Sequence, residues 1–80
     1  MLKVSVISPE KVLYEGEADS VVAPAYDGEV GILTGHAPLM TLLGTGALRI
    51  GGGQSFQISG GFMQVIDNNV RVVTEKATAS

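Results

Sequence analysis

Residues 54–74, QSFQISGGFMQVIDNNVRVVT, contain three short segments in which apolar and polar residues alternate. Alternation with a period of two is typical of β-strands that bury one face. The pattern predicts strands over Gln54–Ser59, Phe62–Ile66 and Val70–Thr74. Between the last two strands, Asp67-Asn68-Asn69 consists of residues that tolerate left-handed backbone conformations. The stretch therefore predicts a β-hairpin and, with it, a sheet rather than a helical fold.

Two groups of glycines interrupt this part of the chain. The Gly60-Gly61 pair lies inside an apolar stretch, which predicts a β-bulge or a close approach to neighbouring backbone. The Gly51-Gly52-Gly53 run predicts a flexible hairpin tip. We do not expect this run to bind phosphate, because no Gly-Lys-Ser/Thr sequence and no helical segment follow it.

The rest of the chain shows the same strand and turn pattern. It predicts further strands over Leu2–Ile7, Lys11–Glu17, Ser20–Ala23, Glu29–Leu33, Leu39–Leu43 and Ala47–Ile50. Pro24 is expected to close the third of these, and Gly44-Thr45-Gly46 is expected to form a turn. Helical spacing of Ala37, Met40 and Leu43 offers a helix as the alternative near residue 40. The six residues Pro38–Leu43 are too few for a stable helix, so extended structure is preferred.

Eight to ten short strands at this spacing predict a single all-β domain, an antiparallel β-sandwich or flattened barrel. The predicted domain covers residues 1–75, and residues 76–80 are expected to form a loose C-terminal tail. Eleven glycines and few charges in so small a chain predict that apolar surface remains exposed. Such surface is typical of an interface with another protein.

Composition excludes several classes of protein. The 80 residues are 45% hydrophobic and include no cysteine, which excludes disulfide scaffolds, thiol catalysis and cysteine metal sites. No apolar run approaches the roughly 20 residues of a transmembrane helix, and no secretory signal is recognisable. The net charge is −3, and the five cations are scattered rather than clustered, which argues against nucleic-acid binding.

Chemistry-bearing residues are few. His36 is the one histidine, and neither a nucleophile nor an orienting carboxylate can be assigned to it from sequence. Asp27 and Glu29 lie close together but lack the further oxygen ligands of a calcium loop. We therefore predict no catalytic, cofactor-binding or metal-binding residue. Glu29, which lies beside apolar residues, is the best candidate for a charge that orients a partner at an interface.

One segment is recognisable as a family signature. Gly28–Leu39, GEVGILTGHAPL, resembles the central motif of the epsilon subunit of F-type ATP synthases, which is called delta in mitochondria. Further segments resemble the family in the same order along almost the whole chain: Val12–Ala18, Ser20–Pro24, Gly46–Ile50, Ile58–Val65 and Asn69–Ala77.

The resemblance implies a ten-stranded β-sandwich without an active site, located in the central stalk of a proton-translocating synthase. A domain of this family would bind the gamma subunit and the ring of c subunits and rotate with both, within the alpha/beta/gamma/delta/epsilon complex. Transferred to this chain, the implied c-ring contacts are Tyr26, Asp27, Gly28, Glu29, Val30, Gly31 and Ile32. The implied gamma contacts are His36, Ala37, Pro38, Leu39, Met40 and Leu42.

This sequence differs from the family in one respect, and the resemblance also implies a cellular location. Family members commonly continue into a C-terminal helical hairpin that inhibits ATP hydrolysis and in some binds ATP. The sequence ends just after the last predicted strand, which fits either a naturally short form or a longer chain cut at the domain boundary. We expect the natural short form, and the inhibitory role is not transferred to these residues. Membrane association would be indirect, through the c-ring. The expected location is the cytoplasmic face of a bacterial inner membrane, with the stromal side of a thylakoid as the alternative.

Two rival functions fit parts of the sequence. Biotinyl and lipoyl carrier domains are also acidic β-sandwiches of about 80 residues, but they require a lysine on an exposed hairpin, commonly between methionines. No Met-Lys-Met sequence occurs, and Lys3, Lys11 and Lys76 lie outside the central predicted hairpins. The second rival is a small β enzyme centred on His36 with Asp27 or Glu29. It would require a pocket around these side chains.

Overall fold

The computed structural model describes residues 1–79, and within them every regular element is a β-strand. The strands are β1 (Leu2–Ile7), β2 (Val12–Ala18), β3 (Ser20–Ala25), β4 (Gly28–Leu33), β5 (Leu39–Leu42), β6 (Thr45–Ile50), β7 (Gln54–Ser59), β8 (Phe62–Ile66), β9 (Asn69–Val73) and β10 (Lys76–Ala79). The predicted all-β fold is confirmed, and residues 39–42 are extended rather than helical. Across the described range, no helix has the length and apolarity needed to cross a membrane.

The strands form two five-stranded sheets. The first has the order β2-β1-β9-β8-β5 and the second the order β10-β7-β6-β3-β4. Neighbouring strands are antiparallel in both sheets except for β1 and β9, which run parallel in the first sheet. This arrangement is the predicted sandwich, with one parallel pair that local alternation could not indicate.

The core lies between the sheets and is filled by the inward-facing residue of each alternating pair. Its fully buried members from the first sheet are Leu2, Val4, Val6, Met63, Val65, Val70 and Val72, and those from the second are Val21, Ala23, Ile32, Leu48 and Ile58. Each large aliphatic side chain buried in this way stabilises the fold by roughly 1.5–3 kcal/mol. The ring of Tyr14 from β2 packs edge-on against Phe56 from β7, with centroids 6.3 Å apart, and so joins the two sheets at one side.

Strand β3 continues through Pro24 instead of ending there. A proline is tolerated inside a strand when its missing N–H lies where no ladder bond is lost. The Pro24 carbonyl accepts a hydrogen bond from the Gly44 amide at 2.8 Å, on the side away from β4. Its nitrogen lies on the same side, so pairing with β4 continues to Ala25 and Gly28.

The predicted turn at residues 44–46 is also shorter than expected. Thr45 and Gly46 already pair with Ser59 and Ile58 as the first residues of β6. Gly44 alone makes the corner. A side chain at Gly46 would place a Cβ 3.0 Å from the Pro24 ring, so close packing, and not a turn, favours glycine at this position.

The expected C-terminal tail is not observed over residues 76–79, which form β10. This strand pairs antiparallel with β7, from Lys76 opposite Ser59 to Ala79 opposite Phe56. Ala77 packs against the core. Lys-Ala-Thr-Ala has weak intrinsic strand propensity, and its extended conformation is set by the edge of β7 beside it. The last residue of the expected tail, Ser80, lies outside the described residues.

The close approach predicted at the glycine pair is confirmed. Gly61 has a φ of +110°, and a Cβ there would collide with the Val73 carbonyl oxygen and lie 2.7 Å from the Thr74 Cα. Thr74 is buried, and its hydroxyl shares its proton between the carbonyl oxygens of Gly60 at 2.9 Å and Lys76 at 3.0 Å. The chain therefore passes from β9 to β10 directly against the chain that passes from β7 to β8.

We expect Gly61→Ala to destabilise the domain by about 3 kcal/mol or more, because backbone strain and a steric collision act together. In a domain of this size, that loss lowers the melting temperature by roughly 12 °C or more. Gly52→Ala is the matched control, since Gly52 also has a positive φ, of +108°, but has open space around it. Thermal unfolding followed by circular dichroism measures both variants, and equal shifts would contradict the role of the collision.

Candidate interaction surface

The two segments implied as partner contacts form strands at neighbouring sheet edges. Tyr26 and Asp27 make the turn before β4, and residues 28–32 belong to β4, the edge strand of the second sheet. Residues 36–38 lie in the loop after β4, and residues 39–42 form β5, the edge strand of the first sheet. The chain thus runs up one edge and returns along the other, on the same side of the sandwich.

The two edges meet at the Tyr26 end. The Tyr26 amide donates a hydrogen bond to the Leu42 carbonyl at 3.0 Å, and Ala25 forms a β-bridge with Leu43. A groove of about 550 Å³ lies between the edges. Its lining residues are Ala25, Tyr26, Asp27, Val30, Leu39, Met40, Thr41 and Leu42. The structure therefore brings part of each predicted contact segment into one surface.

This surface carries the exposed apolar area that the composition predicts. Tyr26 is 69% exposed, Met40 64% and Leu42 63%. Large apolar side chains gathered in this way are typical of an interaction site. His36 is not part of the groove, because β4 separates it from Tyr26 and places it at the opposite end of the sandwich.

Glu29 forms an ion pair that the sequence did not indicate. The Arg49 Nη2 lies 3.0 Å from the Glu29 Oε2, and both side chains are 59% exposed. Arg49 stands opposite Val22, which in turn stands opposite Gly31, so the arginine reaches across β3 to the glutamate. An exposed pair of this kind contributes about 0–1 kcal/mol to stability. Because side chains alternate along β4 and Val30 lines the groove, the Glu29–Arg49 pair lies on the opposite, outer face of the second sheet.

His36 is held within its own loop. Its amide donates to the Leu33 carbonyl at 3.1 Å, and its Nδ1 lies 2.7 Å from the Ala37 carbonyl oxygen. A carbonyl can only accept, so Nδ1 carries the proton of this hydrogen bond. Within residues 1–79, neither Asp27 nor Glu29 is hydrogen-bonded to this ring, and no three potential metal-ligating side chains cluster together.

The loop that contains His36 is attached to the β8–β9 hairpin through Asn68. The Asn68 side-chain oxygen accepts a hydrogen bond from the Gly35 amide at 2.7 Å. The Asn68 carbonyl also accepts from the Lys3 amide at 2.8 Å, and its backbone has a φ of +64°. Asn68 thus positions the start of the second contact segment, a role that its place in a predicted turn did not reveal.

A second apolar feature emerges only from the strand register. On the outer face of the first sheet, successive cross-strand partners form one continuous apolar row across all five strands: Val12, Ile7, Val73, Phe62 and Leu42. At a strand spacing of about 4.8 Å, the row is about 19 Å long. Its two ends are well exposed and its middle is half-buried. We call it the apolar row. The alternation of apolar and polar residues places each of these side chains on an outward face, but it does not show that they stand opposite one another on neighbouring strands.

The next row on the same face is polar. It runs through Glu15, Ser5, Arg71 and Gln64 to Met40, which lies beside Leu42 on β5. The apolar row is therefore a bounded stripe at one end of the sheet, and it ends at the groove. Together they form a continuous surface that includes Leu42 from the predicted gamma segment and extends far beyond it.

Comparison with known proteins identifies relatives of the whole chain. A sequence model of the family described as "ATP synthase, Delta/Epsilon chain, beta-sandwich domain" matches residues 1–80. The ATP synthase epsilon chain of Leptospira interrogans serovar Lai is 48% identical over 77 residues, which cover 92% of this chain and 61% of the relative. That of Syntrophomonas wolfei is 47% identical over 76 residues, covering 90% and 56%. This chain spans about three fifths of the length of these relatives.

Solved structures share the fold. A chain in the cryo-EM structure of the Euglena gracilis mitochondrial ATP synthase, containing OSCP, F1 and the c-ring, is 25% identical with a TM-score of 0.89. The match covers 98% of this chain and 52% of that one. A chain from the central stalk and c-ring of the Tetrahymena thermophila mitochondrial ATP synthase has a TM-score of 0.81 at 18% identity, covering 96% and 65%.

We expect Asn68→Gly to release the His36 loop while leaving the hairpin folded. Glycine accepts the left-handed backbone of this position but cannot accept the Gly35 hydrogen bond, so stability falls by about 1 kcal/mol. Amide hydrogen exchange at Gly35 becomes roughly fivefold faster or more. Asn68→Asp keeps an acceptor oxygen and serves as the control. Unchanged exchange at Gly35 in the glycine variant would refute the positioning role.

Proposed function

Because this chain belongs to the β-sandwich family of ATP synthase delta and epsilon chains, we propose that it is a non-catalytic subunit of the central stalk of an F-type ATP synthase. The observation that carries the proposal is the family match over residues 1–80, joined to a broad exposed apolar surface. In this role the chain binds the gamma subunit and the c-ring and couples proton transport to ATP synthesis.

The gamma contact is assigned to the His36–Leu42 segment together with the apolar row. This assignment is supported by continuity, since Leu42 is both the last residue of the segment and one end of the row. The half-buried middle of the row, Ile7, Val73 and Phe62, is pre-ordered by sheet pairing. Pre-ordered apolar side chains lose little conformational entropy on binding, which favours a tight contact.

The c-ring contact is assigned to the Tyr26–Ile32 segment. It is supported by the exposed turn at Tyr26 and Asp27, and by the exposed Glu29 carboxylate, which forms an ion pair with Arg49. Charges at the rim of an interface set its orientation and register more than its affinity. The membrane association that follows is peripheral and passes through the c-ring, at the cytoplasmic face of a bacterial inner membrane.

To couple the rotation of the c-ring to gamma, the β-sandwich must bind both partners and must itself be rigid. Two interfaces of standard size bury about 800 Å² of this chain each, about a third of its 4582 Å² surface. A β-sandwich deforms little because its sheets are joined by a close-packed core. Rotation of the c-ring is then passed to gamma through the sandwich, without any bond being made or broken in this chain.

We expect the double variant Val12→Asp/Leu42→Asp to bind gamma at least tenfold more weakly, because a carboxylate would be buried at each end of the apolar row. Leu33→Asp is the control, since Leu33 is 65% exposed but lies outside the row. Co-expression with gamma followed by size-exclusion chromatography and titration calorimetry measures the effect. If the wild-type chain forms no complex with gamma, the proposed function itself is wrong.

We expect Glu29→Lys to weaken coupling of the rotor to the ring and to leave the isolated fold intact. The substitution reverses the charge and places it beside Arg49, at a loss of no more than about 1 kcal/mol in stability. Asp19→Lys, an exposed acid in the turn between β2 and β3, makes the same change in net charge elsewhere. Proton-driven ATP synthesis in reconstituted vesicles is the readout, and an unchanged rate would remove Glu29 from the c-ring contact.

A further inference from the structure

Met40 is an exposed methionine at the groove between β4 and β5. Of the three methionines in the chain, Met63 is fully buried in the core, whereas Met1 is 63% and Met40 64% exposed. Met40 lines the groove, and it also lines a second, shallow depression of about 260 Å³. The other residues around this depression are Pro38, Leu39, Gln64 and Ile66. Small molecules dissolved in water can therefore reach the Met40 thioether, but not that of Met63.

The side chain of Gln64 lies next to Met40 on the neighbouring strand. The two residues stand directly opposite each other in the pairing of β5 with β8. The Leu42 carbonyl, two residues along β5, points away from β8 because it accepts from the Tyr26 amide. Main-chain groups point to the same side at every second residue, so those of Met40 also point away from β8. Met40 and Gln64 are therefore a non-hydrogen-bonded pair, in which facing side chains come closest, with Cβ atoms about 4.5–5.5 Å apart.

Gln64 is suited to bind an oxygen atom added to the Met40 sulfur. Within residues 1–79, its side-chain amide has no hydrogen-bond partner. This amide carries two N–H donors, whereas the thioether of Met40 is only a weak acceptor. Oxidation to the sulfoxide makes the side chain polar and gives it an oxygen that accepts from the amide. The oxidised side chain is thus accommodated on the sheet surface, and no core residue has to move.

We propose that Met40 is a site of reversible oxidation, which converts the apolar surface at β5 into a polar one. Hydrogen peroxide is the oxidant: the sulfur lone pair attacks one peroxide oxygen, the O–O bond breaks, and the products are methionine sulfoxide and water. The reverse step uses a dithiol reductant, which becomes a disulfide while the sulfoxide oxygen leaves as water. Met63 does not react in the folded chain, because the close-packed core leaves no room for peroxide beside its sulfur.

Peptide mapping by mass spectrometry, after timed exposure of the folded chain to hydrogen peroxide, tests the modification by itself. We expect Met40 to be oxidised roughly tenfold faster than Met63 or more, and methionine sulfoxide reductases A and B to restore the thioether. The melting temperature of the oxidised chain stays within about 4 °C of the untreated one, since Met40 and Gln64 both lie on the sheet surface. Equal rates at Met40 and Met63, or unfolding when Met40 is oxidised, would overturn the proposal.

The effect of oxidation on binding rests on the proposed function, because Met40 belongs to the segment assigned to gamma. Desolvating a sulfoxide costs more than desolvating a thioether, so we expect the oxidised chain to bind gamma roughly tenfold more weakly in calorimetry. Met40→Leu is the control: it retains Met1 and Met63, and peroxide changes its own affinity by less than about twofold.

The outcomes of the binding measurement separate the two proposals. Unaltered affinity after oxidation of Met40, or an equal loss in peroxide-treated Met40→Leu, would overturn the change of the surface as a control on binding. If the untreated chain does not bind gamma, the proposed function is wrong, and the oxidation rates of Met40 and Met63 still decide whether the modification site exists.

Discussion

Three passages of the chain between the two sheets converge on one corner of the sandwich, and the close contact there governs the rest of the structure. The Leu43 amide donates to the Gly61 carbonyl at 2.9 Å, and the Gly60 amide donates to the Gly44 carbonyl at 3.2 Å. The Thr74 hydroxyl donates to the Gly60 carbonyl at 2.9 Å and so joins the passage from β9 to β10 to the other two. Strands β5, β8 and β9 each begin or end at this corner, so their mutual register is set where they leave it. Leu42, Phe62 and Val73 of the apolar row are each one residue from this corner, so the contacts at the corner also align these three side chains.

Much of the fold could be predicted from the sequence because its strands alternate cleanly and its turns use residues with positive φ. The hairpin at Asp67 and Asn68, with φ of 49° and 64°, is an example. The errors occurred where a neighbouring strand decides the conformation. Pro24 was expected to end a strand, and residues 76–79 were expected to form none. In both cases the deciding groups, Gly44 and β7, are distant in sequence, so no local pattern carried the information.

The candidate surface could be predicted only in part, because a local sequence pattern does not show which strands are neighbours. The segments containing Tyr26 and Met40 could be singled out by family resemblance, and the structure places them at adjoining edges. The Arg49 partner of Glu29 and the hydrogen bond from Gly35 to Asn68 could not be found in this way. Each joins residues 20 or more positions apart, and each depends on which strands are neighbours. Alternation assigns a side chain to a face, whereas only pairing assigns it a neighbour.

The apolar row also limits how the length of this chain can change over evolution. Its five members come from five strands, so an inserted or deleted residue within any of them turns part of that strand over and moves a polar side chain into line. A deletion inside β9, for example, would rotate Val73 toward the core and break the row at its centre. Length variation can be absorbed without this effect in turns that lie away from the row, such as Gly51–Gly53. Substitutions can therefore tune the surface gradually, whereas insertions and deletions in the strands abolish it in one step.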